Sequence, residues 1–218
     1  MVRRLPSGYT AERYLLFRAA LEGDVCFGPD RRAKPTFVWR EGWLERQPGP
    51  ITRASALAEL GRRYLAAYAP ATPADLAAWS GLAAPDVRAA WEAVGQGLVE
   101  INCEGRTAWL PSERLAELDD PAPGPNHVRL LPAFDNYVLA YHDRTLIVAQ
   151  EYTRRINAGG GLLKPVVLVD GEAVGTWRTN RQGRRAKITV DAFAELPTEV
   201  QAGIAAEVAD IDRFLEEA

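Results

Sequence analysis

Cysteine and histidine are scarce in this sequence, with 2 of each in 218 residues. Cys26 and Cys103 lie far apart, and neither belongs to a CxxC or CxxH motif. The ligand spacing of a zinc ribbon and the paired thiols of a redox site are therefore both missing. We expect no metal site and no cofactor, and we expect both thiols to be reduced.

Long hydrophobic runs are also lacking. No stretch approaches the roughly 18 consecutive apolar residues of a membrane-spanning helix. The first residues, MVRRLPSGY, have no apolar core of a secretory signal. The expected localisation is the cytoplasm, with no membrane partner. With 47% hydrophobic and 25% charged residues, the composition is typical of a globular protein and excludes a collagen-like fibre or a wholly disordered chain.

The sequence has no net positive charge. The formal net charge is -3 at pH 7, a balance that on average argues against a nucleic-acid partner. The charges are unevenly distributed, however: residues 1–65 contain 12 Arg or Lys against 7 Asp or Glu, whereas residues 191–218 contain 8 acids and one base. Most cations are arginines, whose forked guanidinium suits phosphate oxygens. An arginine-preferring, GC-rich genome would give the same bias.

Catalytic motifs are sparse. The sequence has no GxSxG, no P-loop, no Rossmann glycine pattern and no HExxH. Asp135 follows an apolar run and is a candidate general base, and the alternative for it is a helix cap. The run Gly159-Gly160-Gly161 can approach a phosphate, and the alternative for it is a flexible loop.

The first 50 residues read as part of a winged helix. Apolar residues at helical spacing predict a helix from about Thr10 to Leu21. The segments Val25–Gly28 and Thr36–Trp39 then predict a hairpin with a basic tip. A winged helix places two helices before its recognition helix, so residues 1–50 correspond to the rear half of such a unit.

Residues 51–118 read as a complete winged helix. Helical periodicity covers Ala54–Tyr68, a Thr72 cap with Pro73 begins a second helix that ends at Ser80-Gly81, and a third helix runs to about Val94. A hairpin follows, giving the winged-helix order. The outward positions of the third helix hold two acids and one base, so we expect a scaffold role for it instead of groove reading.

The rest of the chain reads as a linker at 119–125 and a β-rich C-terminal domain at 126–218. Asp170-Gly171 is a strong two-residue hairpin signal between two apolar strands. Residues Thr198 to Leu215 predict an acidic amphipathic helix. The predicted fold class is α+β: winged-helix, in tandem, with a β-rich C-terminal part and a terminal amphipathic helix.

The most cationic segment runs from Arg178 to Lys187, with five basic residues and no acid. As a hairpin tip it can place guanidinium groups along a phosphate backbone. A smaller cluster lies in the N-terminal hairpin. The alternative for the segment from Arg178 to Lys187 is a solvated loop whose arginines pair with the acidic C-terminal helix. The candidate DNA contacts are Arg178, Arg181, Arg184, Arg185, Lys187, Arg31, Arg32 and Lys34. The six tryptophans are expected in the core, except that Trp177 can stack on a base.

Three ordered blocks resemble a known family: ELGRRYLAAYAPATPADLAAW at 59–79, LLPAFDNYVLAYHDR at 130–144 and PVVLVDGEAVGTWR at 165–178. They are similar to a bacterial family of tandem winged-helix proteins. That family includes DNA glycosylases that remove alkylated bases and unhook interstrand crosslinks. The resemblance extends from about Tyr9 onward. It implies a DNA-binding architecture whose DNA-engaging basic β-hairpin falls on Arg178 to Lys187.

One motif of those glycosylases has no counterpart here. They carry a glutamine-aliphatic-glutamine motif, or a histidine/aspartate variant, upstream of the region that this sequence matches. The five glutamines of this sequence are never two positions apart, so the resemblance transfers DNA binding and not catalysis. A short natural relative, a fragment and a misplaced start all fit this pattern.

Three functions remain open at this point. The first is a protein that binds double-stranded DNA mainly through backbone phosphates, without metal or cofactor. The second is an active DNA glycosylase that uses a carboxylate such as Asp135 to activate water after base flipping. The third is a protein–protein interaction module. Oligomeric state and lesion preference are left open.

Overall fold

The computed structural model describes residues 11–32, 34–45, 49–120, 124–182 and 185–217. For residues 180–182, 185–187 and 215–217 only the backbone is described. The chain forms two compact units, Met1–Ile51 and Thr52–Ala218. None of the described helices is both long and apolar enough to cross a membrane.

The first unit consists of a helix, a hairpin and one helical turn. These elements are α1 (Ala11–Glu22), β1 (Val25–Arg31), β2 (Lys34–Trp39) and α2 (Arg40–Trp43), with β1 and β2 antiparallel. Phe17 packs edge-on against two hairpin rings, with centroid distances of 6.2 Å to Phe27 and 5.7 Å to Phe37. The helix and the basic-tipped hairpin occur where the sequence predicts them. The assignment of residues 1–50 to a partial winged helix stays a prediction.

The expected core placement of two tryptophans in this unit is wrong. Trp39 is 61% exposed and Trp43 is 51% exposed, and the predicted apolar face of α1 leaves Leu21 90% exposed. No described residue of the unit is fully buried. The physical reason is that one 12-residue helix on a two-stranded hairpin has too little surface to enclose a core.

The second unit begins with three helices and a hairpin, in the order of a winged helix. Its elements are α3 (Arg53–Tyr68), α4 (Pro73–Ser80), α5 (Ala84–Val94), β3 (Leu98–Cys103) and β4 (Arg106–Pro111). Thr72 and Asp75 form a reciprocal capping box at the start of α4, and Gly81 ends the helix with a φ of 67°. The predicted element order is confirmed, because these start and stop signals are local.

The winged-helix core lies between α3, α4 and α5. Its buried residues are Tyr64, Leu65, Ala71, Leu76, Val87 and Ala90. At Gly61 helix α3 passes so close to α5 that an added Cβ would lie 2.8 Å from the Ala90 carbonyl oxygen. Only glycine permits this crossing. Strands β3 and β4 join through Glu104-Gly105, where both φ angles are positive, as a type I′ turn requires.

After a 3₁₀ segment, Ser112–Asp119, the predicted linker at 119–125 includes residues 121–123, which lie outside the described residues. The chain then forms a four-stranded antiparallel sheet in the order β5-β6-β7-β8. The strands and accompanying helices are β5 (Val128–Leu131), α6 (Asn136–Leu139), α7 (Thr153–Ile156), β6 (Val166–Val169), β7 (Glu172–Gln182), β8 (Arg185–Ala192) and α8 (Thr198–Glu217).

Each face of this sheet is covered. On one face Val166 and Leu168 pack with Val138 and Ile156. On the other face Val167 packs with Val128, Leu130 and Val200 of α8. Gly203 of α8 lies against β5, where an added Cβ would be 2.6 Å from Val128 Cγ2. The predicted amphipathic helix is confirmed, with Val200 and Ile204 inward.

Candidate nucleic-acid interface

Strands β7 and β8 continue past the rest of the sheet as a two-stranded ribbon. The pairing of β6 with β7 ends at Val166↔Thr176. The β7–β8 pairing continues through Arg178↔Thr189 to Gln182↔Arg185. The five residues of β7 beyond Trp177 span about 17 Å at roughly 3.3 Å per residue. From sequence we expected strands at Ala173–Trp177 and Ile188–Val190 joined by a basic connection, and the structure shows that most of this connection is regular β-ladder.

The base of the ribbon is fixed to the sheet by Trp177. Its indole Nε1–H donates to the Leu131 carbonyl oxygen at 2.8 Å. The ring packs with Ile188 and Val190 of β8 in the core beneath α8. A half-buried indole with a satisfied N–H has a structural role, and the expectation that Trp177 can stack on a base stays a prediction. Its packing gives the ribbon a rigid starting point.

The ribbon carries only positive formal charge. Residues 173–190 contain five basic residues and no Asp or Glu. Arg178 is exposed and makes no ion pair with any residue whose side chain is described. The backbone places Arg181 opposite Ala186, Arg185 opposite Gln182 and Lys187 opposite Asn180. Arg184 lies outside the described residues.

Three acidic groups of the sheet and α8 have partners outside the ribbon. Glu207 of α8 accepts from Arg129 Nη1 at 3.0 Å and from the Leu130 N–H at 3.2 Å. Asp210 pairs with Arg213 on the same helix at 3.1 Å. Asp191 at the base of β8 pairs with Arg155 at 3.2 Å. These three carboxylates neutralise cations outside the ribbon, and the alternative that other acids of the C-terminal helix pair with the ribbon arginines stays open.

The second predicted cluster lies at the tip of the β1–β2 hairpin. Arg31 and Lys34 pair across the strands, and Arg32 occupies the turn with a φ of 53°. All three side chains are exposed. Both hairpins, each within its own unit, thus carry basic residues in the sequence next to their turns.

Helix α5 and the β3–β4 hairpin, the third helix and the wing of the predicted winged helix, have charged residues with intramolecular partners. Asp86 of α5 accepts from Arg53 Nη2 at 2.6 Å. At the wing, Arg106 donates to Asp143 at 2.8 Å and to the Thr145 hydroxyl at 2.6 Å. Hydrogen bonds from the Thr145 N–H and hydroxyl, with a smaller contribution from the Arg106 charge, hold the pKa of Asp143 below its usual value. The wing is fastened to the C-terminal part of its own unit.

The sequence does not predict that the Asp75 carboxylate is buried and joins the winged helix to the C-terminal part of the second unit. Asp75 is 8% exposed. Besides the Thr72 N–H at 2.8 Å and the Thr72 hydroxyl at 2.6 Å, it accepts from the His142 N–H at 2.8 Å. The local signal at Thr72-Pro73-Ala74-Asp75 predicts the helix cap, but no local signal reports a partner 67 positions away.

Two tyrosines reinforce the same junction. The Tyr64 hydroxyl donates to the Ala140 carbonyl oxygen at 2.8 Å, and the Tyr141 hydroxyl donates to the Tyr68 carbonyl oxygen at 3.0 Å. Burial raises the pKa of Tyr141 to about 12 and also raises the pKa of Tyr64. A cavity of about 260 Å³ lies beside this junction, lined by Asp75, Cys103 and His142 among others. Over the described residues, no three His, Cys, Asp or Glu side chains are arranged to hold a metal ion.

The candidate general base is engaged as a helix cap. Asp135 Oδ1 accepts from the Tyr137 N–H at 2.8 Å at the start of α6. Asp135 is half-buried, so part of the carboxylate is accessible. The capping role is observed, and a catalytic role for Asp135 stays a prediction.

Comparison with known proteins agrees with this architecture. A relative from Streptomyces sahachiroi, described as an interstrand DNA cross-link repair glycosylase, is 32% identical over 182 residues, which are 81% of this chain and 48% of the relative. The solved structure of the Streptomyces sahachiroi DNA glycosylase AlkZ has 28% identity and a TM-score of 0.74, covering 93% of this chain and 56% of that one. This chain therefore spans about half the length of the curated relative.

The structural similarity confirms the predicted fold class, α+β with winged-helix architecture. The family model described as DNA glycosylase AlkZ-like matches residues 3–214. The match covers nearly the whole chain, and it confirms the resemblance carried by the three sequence blocks. The chain belongs to the AlkZ-like DNA glycosylase family.

Proposed function

We propose that this protein binds double-stranded DNA mainly through backbone phosphates, and that the β7–β8 ribbon is its principal contact. The observation that carries the proposal is a ribbon projecting about 17 Å beyond the sheet with five cations and no acid. A two-stranded β-ribbon fits the major groove of B-DNA. Neutralising several phosphates supplies most of the affinity of such contacts through counterion release.

The rest of the second unit supports backbone binding over base reading. Reading a base edge needs donors and acceptors projecting into a groove from a fixed element. Helix α5 presents Asp86 and Glu92 together with one arginine, Arg88, and the wing cation Arg106 is held by Asp143 and Thr145. The proposed winged helix acts as the rigid platform from which the ribbon reaches DNA. Little sequence preference is expected.

A duplex-binding experiment tests the proposal. Fluorescence anisotropy of a 20-bp duplex, plain or alkylated, would be recorded in rising salt. We expect salt-sensitive binding of both duplexes. Arg88→Gln, which removes one exposed cation from the platform, is the matched control and should bind like wild type. Absence of binding to either duplex in 50 mM salt would overturn the proposal and favour an interaction module for protein partners.

Base excision is the second candidate function, and family membership is the observation that favours it. The proposed base is Asp135, which would activate water against an everted nucleotide. The test is release of a damaged base with formation of an abasic site. Asp135→Asn keeps a good helix cap, so it should cost at most about 1 kcal/mol of folding free energy. If wild type releases bases and the folded variant does not, Asp135 is catalytic. Equal release by both would exclude it.

A further inference from the structure

The glycine run predicted from sequence forms a closed loop at the same end of the sheet as the ribbon. The Ala158 N–H donates to the Leu162 carbonyl oxygen at 3.0 Å, and the Lys164 N–H donates to the Ile156 carbonyl oxygen at 3.0 Å. Gly159, Gly160 and Gly161 all have positive φ and are exposed. The N–H groups of Gly160 and Gly161 have no acceptor among the described residues. Two adjacent backbone donors therefore face solvent.

The chain leaving this loop runs alongside the base of the ribbon. The Trp177 N–H donates to the Pro165 carbonyl oxygen at 3.2 Å, which extends the Val166↔Thr176 register by one residue. One residue further, this register places Lys164 opposite Arg178. The β6–β7 ladder itself ends at Val166↔Thr176. Continued by two residues, it makes Lys164 and Arg178 a pair without backbone hydrogen bonds, and in such pairs opposing Cβ atoms are typically about 4.5–5.5 Å apart. This continuation of the register places Lys164 and Arg178 on one face of the sheet.

Two like charges placed directly across a sheet repel each other. Lys164 and Arg178 are both exposed, and neither forms an ion pair with a residue whose side chain is described. The carboxylate closest along β8 is Asp191, opposite Thr176, and it is held by Arg155. An anion between the two cations would remove the repulsion and gain two charge-assisted hydrogen bonds.

We propose that Lys164, Arg178 and the free N–H groups of Gly160 and Gly161 bind one phosphodiester group of a DNA strand at the base of the ribbon. The inference rests on the proposed DNA binding and adds a fixed anchor to it. The backbone amides supply oriented donors to a phosphate oxygen, and the two side chains supply charge. Because Trp177 fixes the adjoining strand, this contact sets the point at which the backbone enters the ribbon.

The first test compares Lys164→Gln with the control Arg88→Gln on a 20-bp duplex. Loss of one phosphate contact should flatten the salt slope by about 0.9. Taken over the ten-fold range from 1 M to 100 mM salt, that change in slope corresponds to about an eight-fold weaker affinity at 100 mM. Arg88→Gln should change neither quantity. If wild type binds DNA and Lys164→Gln binds with unchanged affinity and slope, the anchor is overturned while the proposed function stands.

The second test needs no DNA. Titration of the full chain with inorganic phosphate, followed by ¹H–¹⁵N amide spectra, should shift the Gly160 and Gly161 signals in wild type and in Arg88→Gln. The shifts should be much smaller in Lys164→Gln. If wild type fails to bind duplex but these shifts occur, the phosphate site exists and the DNA proposal fails. If the glycine amides do not respond, the site is overturned whatever the duplex result.

Discussion

The wing at β3–β4 and the ribbon at β7–β8 are both antiparallel hairpins that carry arginine, yet the wing cation is paired inside the protein and the described ribbon cation is not. Arg106 of the wing donates to Asp143 and Thr145. Arg178 of the ribbon has no ion-pair partner within the described side chains. A cation already satisfied inside the protein has little to gain from a phosphate, whereas an unpaired one keeps that capacity. Charge count alone does not identify a nucleic-acid contact.

The largest expected effect comes from removing the ribbon charges. Changing Arg181, Arg184, Arg185 and Lys187 together to Gln should leave the fold intact, because a solvated tip contributes little burial. If four phosphate contacts are lost, the salt slope of duplex binding should flatten by about 3.6, or about a hundred-fold less response between 50 and 200 mM salt. Anisotropy with circular dichroism as the folding control measures this. A folded variant with the wild-type slope would remove the ribbon from the interface.

The junction beneath the wing should be the next most sensitive site. Asp75→Ala leaves three donors, on Thr72 and His142, without their acceptor in a buried site. We expect the free energy of unfolding to fall by about 3 kcal/mol, measured by urea denaturation. Asp86→Ala, which breaks an ion pair whose arginine is largely exposed, is the comparison and should cost below about 1 kcal/mol. Equal losses in the two variants would contradict the importance of the junction.

Alkaline pH should weaken the same junction. Burial raises the pKa of Tyr141 to about 12, so above pH ~10 the unfolded chain releases this proton while the folded chain retains it. Stability from this group is complete below pH ~10 and is lost as the pH rises toward 12. Urea midpoints recorded across this window should fall more steeply for wild type than for Tyr141→Phe. Parallel curves would show that Tyr141 does not control the alkaline transition.

The smallest effect is expected at the wing. Arg106→Gln should lower the free energy of unfolding by only about 0.5 kcal/mol, since both members of its ion pair are about half exposed. Duplex affinity should change by less than about two-fold, because this cation has no phosphate contact in the proposal. A large loss of affinity in anisotropy would show that the wing releases Asp143 to bind DNA, and the contrast with the ribbon would fail.

The winged helix was predictable because its signals are local. Thr72 and Asp75 cap α4, Gly81 ends it, and Glu104-Gly105 sets the wing turn. The ribbon was harder to delimit, since its strands continue through polar residues without apolar alternation. The pairing of β7 with β8 in the ribbon is set by the register of the two strands at the ribbon base and not by the local β propensity of these residues.

The junction could not be predicted because its partners are distant in sequence. Asp75 bonds to His142, and Tyr64 bonds to Ala140, 76 positions away. Each residue also has an ordinary local explanation, as a cap or as part of a helical face. Trp39 and Trp43 show the opposite error, a predicted feature that is absent. Their apolar character predicts burial, but the first unit is too small to bury them and both are exposed.

Hydrogen exchange of the His142 amide, which donates to Asp75, reports whether the winged helix and the sheet unfold cooperatively. Breaking it requires the winged helix and the sheet to separate locally, whereas the amides of β6 belong to the sheet alone. If the two parts unfold together, the His142 amide exchanges with deuterium at the rate of global opening, as the β6 amides do. If they separate first, His142 exchanges faster, and the difference in rates measures how firmly the platform holds its ribbon.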